Sequence, residues 1–230
     1  MQMIGISPCI YSISSSSLCI LFGVSAIIYF GINSSYAQLS NSSYAQPSDI
    51  FKNYTNKDLN YTIKYPSDWK VNTNRSSEGI VQFRIANGES PILVVAVENA
   101  TRFLDTDTMT INYSTPKQYA TEELDSLSIR PLLHFKPIRS NEFNIAGNSG
   151  WKMEYSIDTT GLHNIVPKNL QKFTGPSYNI QLYTVNSGKI YELEYEEHPL
   201  KVGLTLPLVN KMVESFQFTG NSSSSNSAIP

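Results

Sequence analysis

The segment Ser177–Glu197 is the sequence feature that most constrains the fold of this chain. It holds two runs in which every second residue is apolar or aromatic, joined by Asn186-Ser187-Gly188-Lys189. Alternation with a period of two is typical of antiparallel strands that have one packed face and one solvated face. Asn, Ser and Gly supply the backbone conformations that a tight hairpin turn needs. The segment therefore predicts a β-hairpin, with Glu192, Glu194 and Glu196 on its solvated face.

Two amphipathic segments are suited to cover the apolar face of such a sheet. One begins at Thr115, where Thr115 and Gln118 form a capping-box pattern and Pro116 takes the first helical position. The other is Thr205–Phe216, which follows the hairpin directly. Its apolar residues recur at helical spacing and predict a core-facing stripe of Leu208, Val209, Met212, Val213 and Phe216.

The remaining apolar patterns predict further strands. Alternation predicts strands at Tyr61–Tyr65, from Trp69, at Val81–Ile85, at Glu142–Ala146 and at Trp151–Ile157, and the continuous apolar run Pro91–Val97 suits a central strand. Short turns join neighbouring strands, and the βαβ rhythm of a parallel sheet is missing. We therefore expect an α+β fold, an antiparallel sheet of six or seven strands with helices on both faces. Thr159–Ser177 is a long irregular connection of the kind that often carries function.

Leu18–Ile32 is the only long apolar run in the sequence. Its length is short for a membrane-spanning helix and typical of the apolar region of a signal peptide. Ser35-Tyr36-Ala37 fits a cleavage site, but no Lys or Arg precedes the run, so an uncleaved anchor remains the alternative. We expect a signal peptide or anchor over residues 1–37, a linker without fixed structure over 38–50, a folded domain over 51–220 and a Ser/Asn-rich tail over 221–230.

Composition and charge exclude several classes of function. Cys9 and Cys19 are the two cysteines, and both lie in the export segment, so a processed protein has no disulfide and no cysteine nucleophile. The net charge of -2 gives no electrostatic case for binding nucleic acid or an anionic membrane. We expect no cofactor, no nucleic acid, and membrane contact only through the N-terminal segment.

Asn-x-Ser/Thr sequons are frequent in this chain. The candidates for glycosylation within the expected domain are Asn53, Asn60, Asn74, Asn99 and Asn112. Together with the export segment they favour a glycosylated protein that is secreted or tethered at the outer cell surface. Chance occurrence in an Asn/Ser-rich cytosolic chain is the alternative.

Few residues have the pattern of a catalytic or metal site. Glu196, Glu197 and His198 place an imidazole beside carboxylates, a set that can bind a divalent cation. Glu154 and Glu194, on different strands, could form the acid pair of a surface hydrolase if they faced one cleft. The nucleophile elbow G-x-S-x-G, the dinucleotide motif G-x-G-x-x-G and the Walker loop do not occur.

Four patterns, taken in order, resemble the PsbP-like domains, a family named for an extrinsic subunit of the oxygen-evolving photosystem. They are Tyr61-x-Ile63-x-Tyr65-Pro66-x-x-Trp69, Ala146-Gly147-x-x-Gly150-Trp151-x-x-Glu154-Tyr155, Gly188-Lys189-Ile190-Tyr191-x-Leu193-x-Tyr195 and Val213-x-Ser215-Phe216-x-Phe218. The resemblance implies an antiparallel sheet between helices, a fold that the family shares with Mog-type Ran-binding proteins. It also implies a non-catalytic binding or assembly module with a protein partner at the cell envelope. A metal-binding protein and a surface hydrolase remain the alternatives.

Overall fold

The computed structural model describes residues 50–86, 88, 92–103, 110–113, 115–171 and 174–220. The predicted export segment with both cysteines, the linker as far as Asp49 and the tail from Asn221 lie outside these residues. Within the described part of the chain, no helix combines the length and the apolar character needed to cross a membrane.

Strands dominate the described residues. In chain order they are β1 (Phe51–Asn56), β2 (Tyr61–Pro66), β3 (Trp69–Asn72), β4 (Ile80–Ile85), β5 (Leu93–Asn99), β6 (Thr101–Phe103), β7 (Thr110–Asn112), β8 (Lys136–Ile145), β9 (Asn148–Asp158), β10 (Pro176–Asn186), β11 (Lys189–Glu197) and β12 (Gln217–Phe218). The helices are α1 (Pro116–Ser128), α2 (Lys168–Gln171) and α3 (Val202–Glu214). Single 3-10 turns lie at Ser76–Glu78, Pro131–Leu133 and Thr160–Leu162.

Seven strands form one antiparallel sheet in the order β3-β4-β5-β11-β10-β9-β8. The predicted hairpin is its centre, since β10 and β11 pair from Tyr178 opposite Glu197 to Asn186 opposite Lys189. Ser187 and Gly188 both have positive φ, 52° and 73°, as a type I′ turn requires. The predicted α+β class, with an antiparallel sheet and helices on both faces, is confirmed.

One face of the sheet, called here the α3 face, packs against α3 and a small sheet of β1, β2 and β12. The predicted stripe of α3 is buried there, and Phe216 stacks on Tyr61 with 5.3 Å between ring centroids. Tyr191 Oη donates to the carbonyl of Leu59 at 2.9 Å, which fastens the small sheet to β11. Although a short turn joins β2 to β3, the two strands belong to different sheets.

The other face, called the α1 face, packs against α1, which lies mainly on β9 and β10. Thr115 and Gln118 form the predicted capping box at its start, and Tyr119, Ala120 and Leu127 are buried. Helix α1 leaves part of this face accessible over β3, β4 and β5. We call this part the open half; its side chains are the exposed Lys70, the partly exposed Asn72, Ile80, Gln82, Arg84 and Ala96, and the buried Val94.

Candidate functional site

The acid row, Glu192, Glu194 and Glu196 of β11, lies on the α1 face between α1 and the open half. The sequence predicts that all three side chains are solvated. For Glu194 this prediction is wrong, because the residue is only 6% exposed. Alternation along a strand assigns residues to two faces, but it does not say which face stays wet. In this sheet α3 covers one face of β11, and on the other face Glu194 is buried while Glu192 and Glu196 stay partly exposed.

Hydrogen bonds divide the acid row into satisfied and unsatisfied groups. Glu192 Oε1 accepts from Gln181 Nε2 at 2.9 Å and from Tyr183 Oη at 3.2 Å. Gln181 stands opposite Glu194 in the strand register. The Oε1 atoms of Glu194 and Gln181 are buried without a hydrogen-bond partner in the described residues, and so is Tyr155 Oη. Glu194 Oε1 and Gln181 Oε1 are acceptors, and the hydroxyl of Tyr155 can donate or accept. Buried polar atoms without partners are costly and rare, so this site favours a ligand that supplies donors to the two acceptors.

The raised pKa values of the acid row also favour a positively charged ligand. Burial raises the pKa of Glu194 well above its ordinary value, and the negative charges of Glu192, Glu196 and Glu123 raise it further. Burial also raises the pKa of Glu196 to about 7, in spite of a hydrogen bond from Ser177. The folded chain therefore retains protons here up to near-neutral pH, and a bound cationic group could take their place.

Arg84 gives the open half a complementary donor. Its Nε atom is buried and has no hydrogen-bond partner in the described residues. Strand β5 lies between the strand of Arg84 and the acid row, so the two backbones are about 10 Å apart. Unmet acceptors and an unmet donor thus lie on the two sides of β5, whose residues on this face include the buried Val94 and the partly exposed Ala96.

Glu154 belongs to a separate network on the α3 face. It accepts from Arg139 Nη2 at 2.5 Å, Lys152 Nζ at 2.7 Å and Tyr178 Oη at 2.9 Å. Burial alone would raise the pKa of Glu154, but these three donors hold it at about 2. Because Glu154 and Glu194 lie on opposite faces of the sheet, they cannot share a cleft. The hypothesis of a hydrolytic acid pair at these two residues is therefore wrong.

A cavity of about 230 Å³ lies between the α3 face and α3. Apolar side chains of β5, β10, β11 and α3 line most of it, and its polar lining groups are Lys152, Asn210 and Glu214. Asn210 and Glu214 are exposed, so this end of the cavity reaches the surface. An apolar cavity of about 150 Å³ can hold benzene, so there is room here for a small apolar group.

The predicted metal ligands do not converge. Glu196 lies on the α1 face, whereas Glu197 lies on the α3 face and accepts from the backbone N–H of His198 at 2.8 Å. His198 Nδ1 accepts from the backbone N–H of Leu200 at 3.3 Å. No group of three or more His, Cys, Asp and Glu in the described residues is arranged to hold a metal ion. Adjacency in sequence suggested a cluster that strand alternation pulls apart.

Four of the predicted glycosylation sites are accessible. Asn53, Asn60, Asn74 and Asn99 are exposed, whereas the side chain of Asn112 is outside the described residues. Accessibility is what a glycosyltransferase needs, and the modification itself stays a prediction.

Comparisons with known proteins concern the fold alone. No family model and no curated protein matches the sequence. Among solved structures, a cyanobacterial PsbP from Synechocystis sp. PCC 6803 is similar, with 14% identity, a TM-score of 0.48, and coverage of 79% of this chain and 98% of that chain.

Two further solved structures are similar at the same level. LpqN of Mycobacterium tuberculosis, described as involved in cell envelope biogenesis, has 13% identity and a TM-score of 0.47 over 74% of this chain and 86% of that chain. A Mog1 protein has 9% identity and a TM-score of 0.45 over 75% of this chain and 98% of that chain. All three have the PsbP/Mog-like fold.

Proposed function

We propose that this protein is an extracytoplasmic, non-catalytic binding module that holds a protein partner at the cell envelope. The partner lies on the α1 face, over the acid row and the open half. The apolar run Leu18–Ile32 and the density of sequons support the location. The separation of Glu154 from Glu194 supports a role without catalysis, because it removes the acid pair.

The observation that carries the proposal is the pair of buried, unsatisfied oxygens, Glu194 Oε1 and Gln181 Oε1. A lysine or arginine of the partner, placed against the partly exposed Glu192 and Glu196, offsets the charge of the row, and side-chain rearrangement on binding brings its donors to the two buried oxygens. Charge-assisted hydrogen bonds of this kind are stronger than neutral ones. Binding of the partner then removes the free-energy penalty that these unsatisfied acceptors impose on the free protein.

A protein fits this surface better than a small cation does. The acceptors of the acid row and Arg84 Nε are separated by one strand, so one ligand must offer a donor at one place and an acceptor at the other. A polypeptide carries both groups at such spacings. Asn72, Gln82 and Lys70 add further polar contacts around them, as in the rim of a protein interface.

The first test locates the partner on this surface. A photo-crosslinking residue at Gln82 of the full chain is activated in cells that produce the protein. We expect one discrete adduct, whose protein is then identified and purified. The matched control places the crosslinker at Asn210, which is exposed on α3 at the other side of the sheet. Equal adducts at both positions would mean that the α1 face is not the binding surface.

The second test measures the charge requirement with the identified partner. Glu196→Lys should weaken the affinity at least tenfold, about 1.4 kcal/mol, because it places a positive charge in the acid row. Glu214→Lys makes the same change on the exposed side of α3 and should leave the affinity unchanged. Equal affinities for Glu196→Lys and the unchanged chain would exclude a cationic contact at the acid row.

A separate experiment tests the proposed location outside the cytoplasm. Fractionation of producing cells should place the chain outside the cytoplasm, shortened at its N-terminus or bound to membrane. Recovery from the cytoplasm with an intact N-terminus would contradict export.

A further inference from the structure

Exposed large hydrophobic side chains are concentrated at one end of the molecule. In the described residues they are Ile50, Ile129, Leu132, Ile138, Ile165, Leu200 and Leu204, each between 49% and 78% exposed. Single exposed apolar residues are ordinary on soluble proteins, but their collection at one place is informative.

The strand register shows that most of these residues share an end. Strand β11 ends where β10 begins, since Glu197 pairs with Tyr178. The start of β10 meets the end of β9, and the end of β9 meets the start of β8, where Lys136 pairs with Ser156. The segments 129–135, 159–175 and 198–201 therefore leave the sheet together. We call this the apolar end.

Ile50 belongs to the same end. Its carbonyl accepts from the backbone N–H of Ser67 at 2.8 Å, in the turn that leads into β3. The first residue of β3, Trp69, pairs with Ile85 at the end of β4. Strands β4 and β11 are both antiparallel to β5, which lies between them, so they run in the same direction. The end of β4 therefore lies at the same end of the sheet as the end of β11. The described part of the chain thus begins at the apolar end.

The opposite end is polar. It holds the turns that join β1 to β2, β3 to β4, β8 to β9 and β10 to β11, and no large hydrophobic residue is exposed there among those the structure describes. Three of the exposed sequon asparagines lie at this end, namely Asn60, Asn74 and Asn99. Glycans at these sites would be held away from the apolar end.

Basic side chains surround the apolar residues. Lys136 and Lys168 are exposed, and Arg130 and Lys201 are partly exposed. The exposed or partly exposed acids in the loops and at the strand ends of this end, among the described residues, are Asp68, Asp158 and Glu196. The four cations adjoin the apolar side chains in the sequence, although the whole chain has a net charge of -2.

We infer that the apolar end rests on the surface of a lipid bilayer. Apolar side chains on separate segments, each within three residues of a lysine or arginine in the sequence, suit insertion among headgroups, where the side chains meet acyl chains and the cations meet phosphates. A flat continuous patch would instead suit a second copy of the chain. The position of the chain entry agrees, because residues 33–49, which precede Ile50, join it to the apolar run Leu18–Ile32.

The test uses the full chain with Cys9→Ser and Cys19→Ser, reconstituted into vesicles of phosphatidylcholine and phosphatidylglycerol at 3:1. An environment-sensitive dye is attached to a single new cysteine, Ile129→Cys or Leu200→Cys, and in the matched control to Ser187→Cys at the polar end. We expect emission to rise at least twofold and shift to the blue at the apolar end, with no change at the control. Since all three carry the same N-terminal segment, the contrast reports how the domain is oriented.

Two outcomes would overturn the inference. Equal, water-like emission at both ends would show that the domain does not rest on the bilayer. A shift that appears without vesicles as protein concentration rises would show that a second copy covers the apolar end. Since the acid row is not part of the apolar end, Glu196→Lys should leave the dye contrast intact while it weakens binding of the protein partner at least tenfold.

Discussion

Glu192 and Glu194 lie on the same face of the same strand, yet their hydrogen-bonding environments differ. Glu192 accepts from Gln181 and Tyr183, whereas Oε1 of Glu194 has no donor in the described residues. The folded-state pKa of Glu194 is raised above its ordinary value of 4.5, so the folded state holds its proton more tightly than the unfolded state does. The stability contributed by Glu194 is therefore complete below about pH 4.5 and falls as pH rises above that value.

We predict that Glu194→Gln raises the free energy of unfolding at pH 7 by about 1–3 kcal/mol and has little effect at pH 4. The amide removes the cost of ionising a buried carboxyl and can donate to Gln181 Oε1. Urea denaturation at the two pH values gives the measurement.

Glu192→Gln is the matched control at the next position on the same face. We expect it to change the free energy of unfolding at pH 7 by less than Glu194→Gln does, because Gln181 and Tyr183 lose a carboxylate acceptor while Glu194 loses a neighbouring negative charge. If Glu194→Gln were destabilising at pH 7, its carboxylate would have to be satisfied by a bound ion or partner in the protein as isolated.

Single residues also mark the limit of sequence-based inference about the site. The sequence identifies the candidate residues, but it does not say which side chains surround them in space. These residues are Glu192, Glu194, Glu196, His198 and Gln181. Gln181 Nε2 donates to Glu192, whereas Gln181 Oε1 has no partner in the described residues, and these contacts between strands cannot be read from the sequence. One signal in the sequence could have indicated that Glu194 is buried. Two amphipathic helices imply that both faces of the central strand are covered.

Among the elements, the β3–β4 connection depends on one glycine. Gly79 has φ of +83°, its carbonyl accepts from the backbone N–H of Val97 at 2.9 Å, and a Cβ atom there would lie 2.2 Å from the carbonyl oxygen of Val97. Gly147 in the β8–β9 turn has the same φ, with no atom within 4 Å of such a Cβ. The two positions therefore separate the cost of the clash from the cost of the backbone conformation.

We predict that Gly79→Ala lowers the free energy of unfolding by at least about 2 kcal/mol more than Gly147→Ala does. The Gly147 variant has only the free-energy cost of an alanine at positive φ. The Gly79 variant must also move β4 away from β5. Thermal and urea unfolding of both variants provide the comparison. Equal losses would mean that the connection shifts to make room without strain in the sheet.

Elements were predictable where local chemistry decides them. The capping box of α1, the apolar stripe of α3 and the turn at Ser187-Gly188 all agree with the sequence pattern. The β8–β9 turn shows where local chemistry is ambiguous. The predicted strands Glu142–Ala146 and Trp151–Ile157 leave a turn at residues 147–150, but the structure turns at Ala146-Gly147. Gly150 lies in β9, where a Cβ atom would come within 2.8 Å of the carbonyl oxygen of Tyr183.

At the scale of the whole molecule, two hydrophobic cores share one sheet. Met153 belongs to the core beneath α1 and Leu193 to the core beneath α3, and both residues are fully buried. Their strands are joined through β10, so neither core can open without loosening strands that the other needs. The two cores should therefore unfold as one cooperative unit.

We predict that Met153→Ala and Leu193→Ala each lower the free energy of unfolding by about 2–5 kcal/mol. Each variant should still unfold in a single transition. Leu204→Ala is the matched control, since Leu204 is 50% exposed and should change the free energy of unfolding by less than about 0.5 kcal/mol. Calorimetry and circular dichroism should report one midpoint for each variant. A second transition in either core variant would show that the two faces of the sheet fold independently.

The sequence by itself determined the classes of element, the antiparallel pairing of the central hairpin and the sidedness of α1 and α3, because these follow from periodicity, turn residues and caps within short stretches. Only the tertiary structure decided which polar residues are buried, that Glu154 and Glu194 lie on opposite faces, and that exposed apolar residues from distant segments gather at one end. Those outcomes depend on which elements pack over which face. They come from contacts between residues far apart in the chain, which no local pattern encodes.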